Sequence, residues 1–313
     1  MSIKISTKKQ VLDLIIDQYD YFLFDCDGVL WLGDHLLPSV KETLEYLKEA
    51  KKTIIFVTNN STKSRSTYLK KFEKMGIPNI NKTEIFGSAF ASAVYVDKIL
   101  KLPKDKHVWV LGEEGIEQEL KELGYTTIGG TDPSLNKDGV NFDPNTSLLD
   151  NLDSNVGAVV CGLTFQLNYL KLSLTMQYLL QDKKSIPFIA TNIDSTFPVN
   201  GKLLIGAGSI IDTVAYASSR QPDAVCGKPN QSMMNAIKAQ LPGLAENPKR
   251  GLMIGDRLNT DMKFGKNGGL DTMLVLTGIE TEENVQSLNV EDKDVAVPTY
   301  FIDKLGDVYE LTH

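Results

Sequence analysis

The 313-residue chain carries a formal net charge of −7, has an isoelectric point near 5.2 and is 42% hydrophobic. This charge argues against binding of nucleic acid or an anionic membrane surface, and the hydrophobic content is ample for two domains or one large one. No apolar run approaches a membrane span, the N-terminus lacks a signal-peptide core, and the three cysteines are scattered, so we predict a cytoplasmic protein, with the nucleus as a second location.

The first strong element is a continuous apolar run over residues 21–24 that leads into Asp25, Cys26, Asp27 and Gly28. Such a run predicts a strand covered on both faces, as in a parallel sheet. If the extended geometry continues, Asp25 and Asp27 project to the same side, and Gly28 lets the backbone turn. Two close carboxylates need a cation or a shared proton, although a solvated turn after a strand explains the same residues.

A second apolar strand is predicted over residues 53–57, after a helix that ends near Ala50. Small polar residues follow it, at Thr58, Asn59, Asn60 and Ser61, before the next helix. Their hydroxyls and amides, with the free N–H groups of that helix, make an anion site. A simple helix cap at Ser61 or Thr62 remains an equally valid interpretation. The alternation of strands and helices predicts right-handed βαβ units and a parallel sheet.

From about residue 101 the pattern restarts and predicts a second α/β unit with its own core. Residues 129–155 are rich in loop-forming types, and residues 193–204 are interpreted as loop or short strand. The remaining predicted elements of this unit are strands at 107–111, 156–163 and 187–191 and helices at 114–123 and 167–180.

The last third of the chain returns to strands that end in polar groups. A short strand at 223–226 precedes Lys228, and a buried strand at 251–254 precedes Asp256, with Asp261 on the following turn. Lys228 alone could be a surface lysine, and Asp261 could be only a dipole partner of a helix. A helix at 207–219, further strands at 272–277 and 300–302, and packing glycines at 206 and 208 complete the prediction.

One placement recurs, in which an apolar strand is followed by a reactive side chain at its carboxyl end. Parallel strands of one sheet would bring these side chains to one edge. Three carboxylates, a lysine and a hydroxyl suit Mg²⁺ and a phosphate group. In such a site Asp25 can attack phosphorus, and Asp27 can protonate the leaving oxygen and then activate water.

The motifs DxDG at 25–28, Thr58, Lys228 and GDxxxxD at 255–261 resemble, in order and spacing, those of the haloacid dehalogenase phosphatase superfamily. The strings at 24–31, 57–65, 191–198, 227–230 and 255–265 are similar to its eukaryotic 4-nitrophenylphosphatase/phosphoglycolate phosphatase subfamily, most of all to the fungal members. The resemblance implies hydrolysis of small phosphate monoesters, with 2-phosphoglycolate as the first candidate, by an aspartyl-phosphate mechanism.

The resemblance also implies roles for individual residues. Asp25 would be the nucleophile and a Mg²⁺ ligand, Asp27 the acid/base and a ligand through its carbonyl, and Asp256 a third ligand. Asp261 would support the metal or Lys228 from behind. The transferring phosphoryl would be held by Thr58, Asn59, Asn60 and Lys228.

A mobile cap between the second and third motifs is implied as well, which agrees with the restarted α/β pattern. The predicted architecture is therefore a Rossmann-like doubly wound core formed by residues 1–100 and 206–313, with an inserted C2-type cap at 101–205. The cap would carry a substrate-specificity loop with Asp194 and Phe197, although a capped turn and cap core explain these two residues equally well. Small phosphorylated metabolites and a second copy bound through the cap are the expected partners.

Other functions use similar residues. A phosphorelay receiver also places Asp, Thr and Lys around Mg²⁺, but it lacks an acid two residues after its phosphorylated Asp and has no cap. An inactive scaffold would not need intact carboxylates. A phosphomutase or a phosphoprotein phosphatase of the same superfamily remains an alternative, the mutase transferring phosphate to a sugar and not to water.

Overall fold

The computed structural model describes residues 2–136, 142–199, 202–288 and 295–313. Parts of the predicted loops at 129–155 and 193–204, namely residues 137–141 and 200–201, lie outside the described residues. The described part of the chain contains strands β1 (Ile3–Lys4), β2 (Tyr21–Phe24), β3 (Trp31–Leu32), β4 (His35–Leu36), β5 (Thr53–Thr58), β6 (Ile85–Gly87), β7 (His107–Leu111), β8 (Thr126–Gly129), β9 (Val156–Cys161), β10 (Phe188–Ala190), β11 (Thr196–Val199), β12 (Lys202–Ile205), β13 (Ala224–Val225), β14 (Gly251–Gly255), β15 (Asp271–Val275) and β16 (Tyr300–Ile302).

The described helices alternate with most of these strands. The α-helices are Lys8–Gln10, Val40–Glu49, Arg65–Lys74, Ser88–Val94, Glu114–Glu122, Ser147–Asp150, Tyr169–Leu180, Ala207–Ser218, Gln231–Gln240, Pro242–Glu246, Lys263–Asn267, Glu282–Ser287 and Asp307–Glu310. Wider, π-type turns occur at Val11–Ile16, Tyr95–Ile99 and Leu258–Met262, and 3₁₀ turns at Lys82–Glu84, Pro133–Asn136, Asp182–Lys184 and Pro248–Arg250. Within the described residues, no helix combines the length and apolar content that a membrane crossing requires.

The chain forms two compact units. The first comprises residues 1–58, 69–86 and 228–313 and contains a seven-stranded sheet in the order β1-β16-β15-β14-β2-β5-β6. The pairs β1–β16, β16–β15, β15–β14, β14–β2 and β2–β5 are parallel. Its core includes a chain of aromatic contacts from the rings of β2 to Phe56 of β5 and from Phe56 to Phe72 of the following helix.

The second unit comprises residues 59–68 and 87–227 and contains a five-stranded parallel sheet in the order β13-β10-β9-β7-β8, with the hairpin β11–β12. Together the two sheets confirm the predicted α/β class with mainly parallel strands. Strands β6 and β8 and the helix Ser88–Val94 were not predicted, because each is short and its apolar run is weak.

The unit boundaries differ from the predicted domain boundaries. The helix Ala207–Ser218 was assigned to the core, but it belongs to the second unit. Its buried residues recur every three or four positions, from Ala207 through Ile211 to Val214, and they pack in the same cluster as the strand residues Val159 and Phe188. Residues 87–100 likewise belong to the second unit. The roles of core and cap stay predictions.

Candidate active site

Three of the predicted site residues lie at one edge of the seven-stranded sheet. Strand β2 is flanked by β14 and β5, and Phe24 is in register with both Ile254 and Phe56. The backbone N–H of Asp25 continues this ladder by donating to the carbonyl of Ile254 at 2.8 Å. Because the strands are parallel and in register, their carboxyl ends place Asp25, Thr58 and Asp256 side by side, as the sequence predicted.

Lys228 joins this edge through a set of short contacts. Its ammonium nitrogen Nζ lies 2.6 Å from Oδ1 of Asp25 and 2.6 Å from Oδ1 of Asp261. Nζ also donates to the carbonyl oxygen of Val57 at 2.9 Å. The lysine side chain is only 2% exposed. Lys228 is therefore a buried cation shared by two carboxylates, and the interpretation as an isolated surface lysine is wrong.

The strand that precedes Lys228 is not part of the sheet that carries the acids. We predicted that Lys228 reaches the edge at the end of a strand of the same sheet, but β13 pairs with β10 in the five-stranded sheet. The run Ala224–Val225 is too short to indicate which sheet it joins. The side chain reaches Asp25 because the chain re-enters the first unit at Lys228.

Asp261 is almost fully buried and uses both carboxylate oxygens. Oδ1 accepts from Lys228, and Oδ2 accepts from the backbone N–H groups of Asp256 and Arg257 at 3.2 Å each. These bonds tie the turn after β14 to the lysine. Asp261 thus makes direct hydrogen bonds to Lys228 and to two backbone N–H groups, so its role is not limited to a favourable charge near a helix terminus.

Burial dominates the electrostatics of this cluster. It raises the pKa of Asp25 to about 7, to which the charges of Asp261 and Asp27 also contribute, while Lys228 opposes the rise. Burial, with the charges of Asp25 and Asp261, raises the pKa of Asp256 well above its ordinary value. Burial by itself would lower the pKa of Lys228, but the two carboxylates it contacts overcome this effect and raise its pKa.

Close approach of two glycines positions Asp256. A Cβ atom on Gly28 or on Gly278 would collide with Oδ2 of Asp256. Gly28 also has a φ of +93°, which favours glycine on its own account. The hydroxyl of Thr277 donates to the Gly28 carbonyl at 2.5 Å and joins the two glycine-bearing segments. Gly278 and Thr277 were missed in the sequence, because nothing local connects residues after β15 with the acid after β14.

The acidic cluster fits a divalent cation. One ligand oxygen from each of Asp25, Asp256 and Asp261 lies within 4.8 Å of the others, and all three residues are buried. Three negative charges against the one positive charge of Lys228 leave an excess that is costly in a buried setting. Oxygen donors with this charge excess are the set that Mg²⁺ prefers. Asp25 and Asp256, with Asp261 close behind, would therefore hold the ion.

Asp27 faces a different environment from Asp25. Strand β2 ends at Phe24 and a turn follows, in which the Leu30 N–H donates to the Cys26 carbonyl at 2.9 Å. The extended geometry therefore does not continue, and the Asp27 side chain is 45% exposed. Its Oδ1 accepts from the indole Nε1–H of Trp31 at 2.8 Å and lies 3.8 Å from the Lys71 ammonium.

Trp31 and Lys71 were missed as partners of Asp27. The indole of Trp31 is fully buried, and the Lys71 ammonium lies 4.1 Å from the centre of its ring. An apolar tryptophan after an acidic motif suggests packing, and only the turn shows that its N–H group points to a carboxylate. The pair fixes Oδ1 of Asp27. Whether the Asp27 carbonyl ligates metal stays a prediction.

The other predicted site residues belong to the second unit. Oδ1 of Asn60 accepts from both the backbone N–H of Thr62 at 2.9 Å and its hydroxyl at 2.7 Å, so it closes a local turn. Nδ2 of Asn59 donates to Oδ2 of Asp194 at 3.0 Å. The ring of Phe197 packs edge-on against Phe165, with centroids 6.2 Å apart.

Comparisons with known proteins cover nearly the whole chain. A family model of haloacid dehalogenase-like hydrolases matches residues 22–126, and a HAD-hydrolase-like model matches residues 225–308. The chain is 45% identical to the 4-nitrophenylphosphatase of Schizosaccharomyces pombe over 99% of both proteins. It is 40% identical to the chloroplastic phosphoglycolate phosphatase 1A of Arabidopsis thaliana over 94% of this chain and 78% of that protein.

Among solved structures, the p-nitrophenyl phosphatase from Archaeoglobus fulgidus matches with a TM-score of 0.76 and 29% sequence identity. The match covers 94% of this chain and 99% of that one. The similarity therefore extends over both compact units, and the two family models include Asp25, Lys228 and Asp256.

Proposed function

The chain belongs to the haloacid dehalogenase-like hydrolase family, and from this premise we propose that it is a Mg²⁺-dependent phosphatase of small phosphate monoesters. The observation that carries the proposal is the buried contact of Lys228 with Asp25 and Asp261, next to Asp256. A buried carboxylate, a lysine and further acids at one sheet edge are suited to a phosphoryl group and its metal.

In the proposed first step, Asp25 attacks the substrate phosphorus. Lys228 holds Oδ1 of Asp25 at 2.6 Å, which orients the carboxylate and assigns the attack to Oδ2. An O–P bond forms to Asp25 while the bond from phosphorus to the leaving oxygen breaks. Asp27 donates a proton to that oxygen from its Oδ2, because Oδ1 is engaged by Trp31.

In the proposed second step, water hydrolyses the aspartyl-phosphate. Asp27, now deprotonated, takes a proton from water as the oxygen attacks phosphorus. The bond between phosphorus and Asp25 breaks, which releases inorganic phosphate and restores the carboxylate. Thr58, Asn59, Asn60 and Lys228 are proposed to hold the transferring phosphoryl. Mg²⁺, when bound, supplies charge neutralisation at the phosphoryl oxygens.

Asp27→Asn is expected to lower steady-state turnover of 4-nitrophenyl phosphate by about 10²–10⁴-fold, the usual contribution of general acid–base catalysis. Because 4-nitrophenolate leaves with little need of a proton, the variant should still release a first equivalent of it rapidly before the slow hydrolysis step. Stopped-flow absorbance measures this burst.

The matched control is Asp34→Asn, since the Asp34 side chain is 72% exposed and pairs only with a surface lysine in the described contacts. It should behave as the wild type. Full steady-state activity of Asp27→Asn would mean that another group moves the proton.

We propose 2-phosphoglycolate as the first substrate to examine. The support is the 40% identity to a plant phosphoglycolate phosphatase over nearly the whole chain. Ranking a panel of small phosphate monoesters by kcat/KM, with 2-phosphoglycolate, sugar phosphates and a phosphopeptide in it, tests the choice. A sugar-phosphate mutase would instead return a rearranged sugar phosphate without net phosphate release.

Phe197→Ala is expected to change the ratio of kcat/KM between 2-phosphoglycolate and 4-nitrophenyl phosphate by about tenfold, a typical value for one apolar contact in a substrate pocket. The ring is held by Phe165 and lies on the hairpin proposed as the specificity loop. Tyr216→Ala, which removes a ring that is 90% exposed on the same unit, serves as the control. An equal fall for every substrate would contradict the specificity role.

The same proposal has three further parts. The second unit acts as the cap, two copies of the chain form a homodimer through it, and the protein is located in the cytoplasm. The first two follow from the family resemblance, and the third from the three scattered cysteines, which form no disulfide.

A further inference from the structure

The side chains of Asn59 and Asp194 meet although 135 positions separate them in the chain. Nδ2 of Asn59 donates to Oδ2 of Asp194 at 3.0 Å. Asn59 is the first residue after β5, and Asp194 lies between β10 and the hairpin β11–β12. Both residues belong to the second compact unit, so the contact lies within one unit.

The backbone around Asn59 is fixed by further hydrogen bonds. Its carbonyl oxygen accepts from the Ser88 hydroxyl at 2.6 Å and from Nδ2 of Asn192 at 2.8 Å. Oδ1 of the same Asn192 accepts from the backbone N–H of Asp194 at 3.0 Å. Asn192 is only 4% exposed. One buried amide therefore connects the backbones of the two residues whose side chains also pair.

Two glycines also pack against the Asp194 segment. The Gly208 N–H donates to the Asp194 carbonyl at 2.9 Å, and a Cβ on Gly208 would lie 2.6 Å from the carbonyl carbon of Ile193. A Cβ on Gly206 would collide with the Asp194 carbonyl oxygen. The start of the helix Ala207–Ser218 thus packs directly on the loop, which confirms a packing role for the two glycines.

A third glycine confines the Asn59 amide. A Cβ on Gly227 would lie 2.6 Å from Oδ1 of Asn59. The amide is therefore bounded by Gly227 at its oxygen and by the Asp194 carboxylate at its nitrogen. This arrangement selects one orientation of the amide and leaves its plane little freedom to rotate.

We propose that Asp194 is a positioning residue for Asn59, and that it does not recognise the leaving group of the substrate. The inference rests on the proposed function, in which Asn59 helps to hold the transferring phosphoryl. Because that phosphoryl is common to all substrates, Asp194 contributes equally to the hydrolysis of each. Its role differs in this respect from the one proposed for Phe197 on the neighbouring hairpin.

The test compares Asp194→Ala, Asp194→Asn, Asn59→Ala and the double variant in the full-length protein. Asp194→Ala should lower kcat/KM by about tenfold, the scale of one hydrogen bond to a charged group, and by the same factor for 4-nitrophenyl phosphate and 2-phosphoglycolate. Asp194→Asn keeps an accepting oxygen and should stay within about threefold of wild type. The double variant should be no worse than Asn59→Ala.

Asp212→Ala is the matched control, because it removes an exposed carboxylate from the helix Ala207–Ser218 of the same unit. It should leave kcat/KM unchanged. A change in the ratio between substrates in Asp194→Ala, or multiplicative losses in the double variant, would overturn the proposal in favour of a sensing role.

The side-chain amide protons of Asn59, observed by NMR in the resting protein, give a readout that does not depend on activity. The proton bonded to the carboxylate should shift upfield in Asp194→Ala and much less in Asp194→Asn. Unchanged resonances would overturn the positioning role. If the amide resonance shifts in the variants as expected but the wild type hydrolyses no phosphate ester, the proposed function alone would be contradicted.

Discussion

Asp25→Asn is expected to abolish turnover of 4-nitrophenyl phosphate, with a loss of about 10⁴-fold or more, as for other enzymes that lose their nucleophile. The amide cannot form the phosphate ester on which both proposed steps depend. It can still accept from Lys228, whose Nζ lies 2.6 Å from Oδ1. The measurement is steady-state release of 4-nitrophenolate in the presence of Mg²⁺.

The folded state should tolerate this substitution. Burial raises the pKa of Asp25 to about 7, so the folded protein already disfavours the charged carboxylate. A neutral amide of the same shape removes that cost, and the unfolding midpoint without metal should equal or exceed that of the wild type. Retained turnover in a well-folded Asp25→Asn protein would exclude Asp25 as the nucleophile.

Removal of the metal is expected to have a comparable effect. EDTA should abolish the phosphatase activity of the wild type, and added Mg²⁺ should restore that activity. Asp256→Ala should lower activity by at least about 10²-fold even with Mg²⁺ present, because it removes one of the three carboxylates whose oxygens lie within 4.8 Å of one another. A titration of activity against Mg²⁺ concentration, carried out for the wild type and for Asp256→Ala, measures this loss.

Asp303→Ala provides the control for Asp256→Ala. The Asp303 side chain is 63% exposed, pairs with Lys4 and is not one of the three clustered carboxylates. Its Mg²⁺ titration should match that of the wild type. Full activity of the wild type in EDTA would show that the carboxylates serve another purpose than binding a divalent ion.

The sequence predicted those parts of the site that depend on local pattern. Continuous apolar runs before Asp25, Thr58 and Asp256 indicate buried parallel strands, and register then places their ends together. The amphipathic spacing of Val40, Leu44 and Leu47 likewise indicates a helix that the structure contains. These signals act over a few residues, so they can be detected without knowledge of the tertiary structure.

The features that were missed depend on contacts between distant segments. Lys228 was expected at the end of a strand of the central sheet, but β13 belongs to the other sheet, and no local pattern distinguishes the two. The turn after Cys26, which the Leu30 N–H closes on the Cys26 carbonyl, directs the Trp31 indole to Asp27, and nothing in the sequence motif indicates that contact. The pairing of Asn59 with Asp194 has no counterpart in any local motif.

The boundary of the second unit shows the same limitation. The helix Ala207–Ser218 has a clear buried face in the sequence, yet a buried face does not say which core it contacts. Only its packing with Val159 and Phe188 shows that the helix belongs to the second unit.

The central claim is that phosphate is transiently esterified to Asp25. Asp27→Asn protein can be quenched during turnover of 4-nitrophenyl phosphate and reduced with borohydride, which converts an aspartyl-phosphate to homoserine. Peptide mapping by mass spectrometry should then find homoserine at position 25, and only in samples that received substrate. Turnover without modification at position 25, or with homoserine at another residue, would contradict the account.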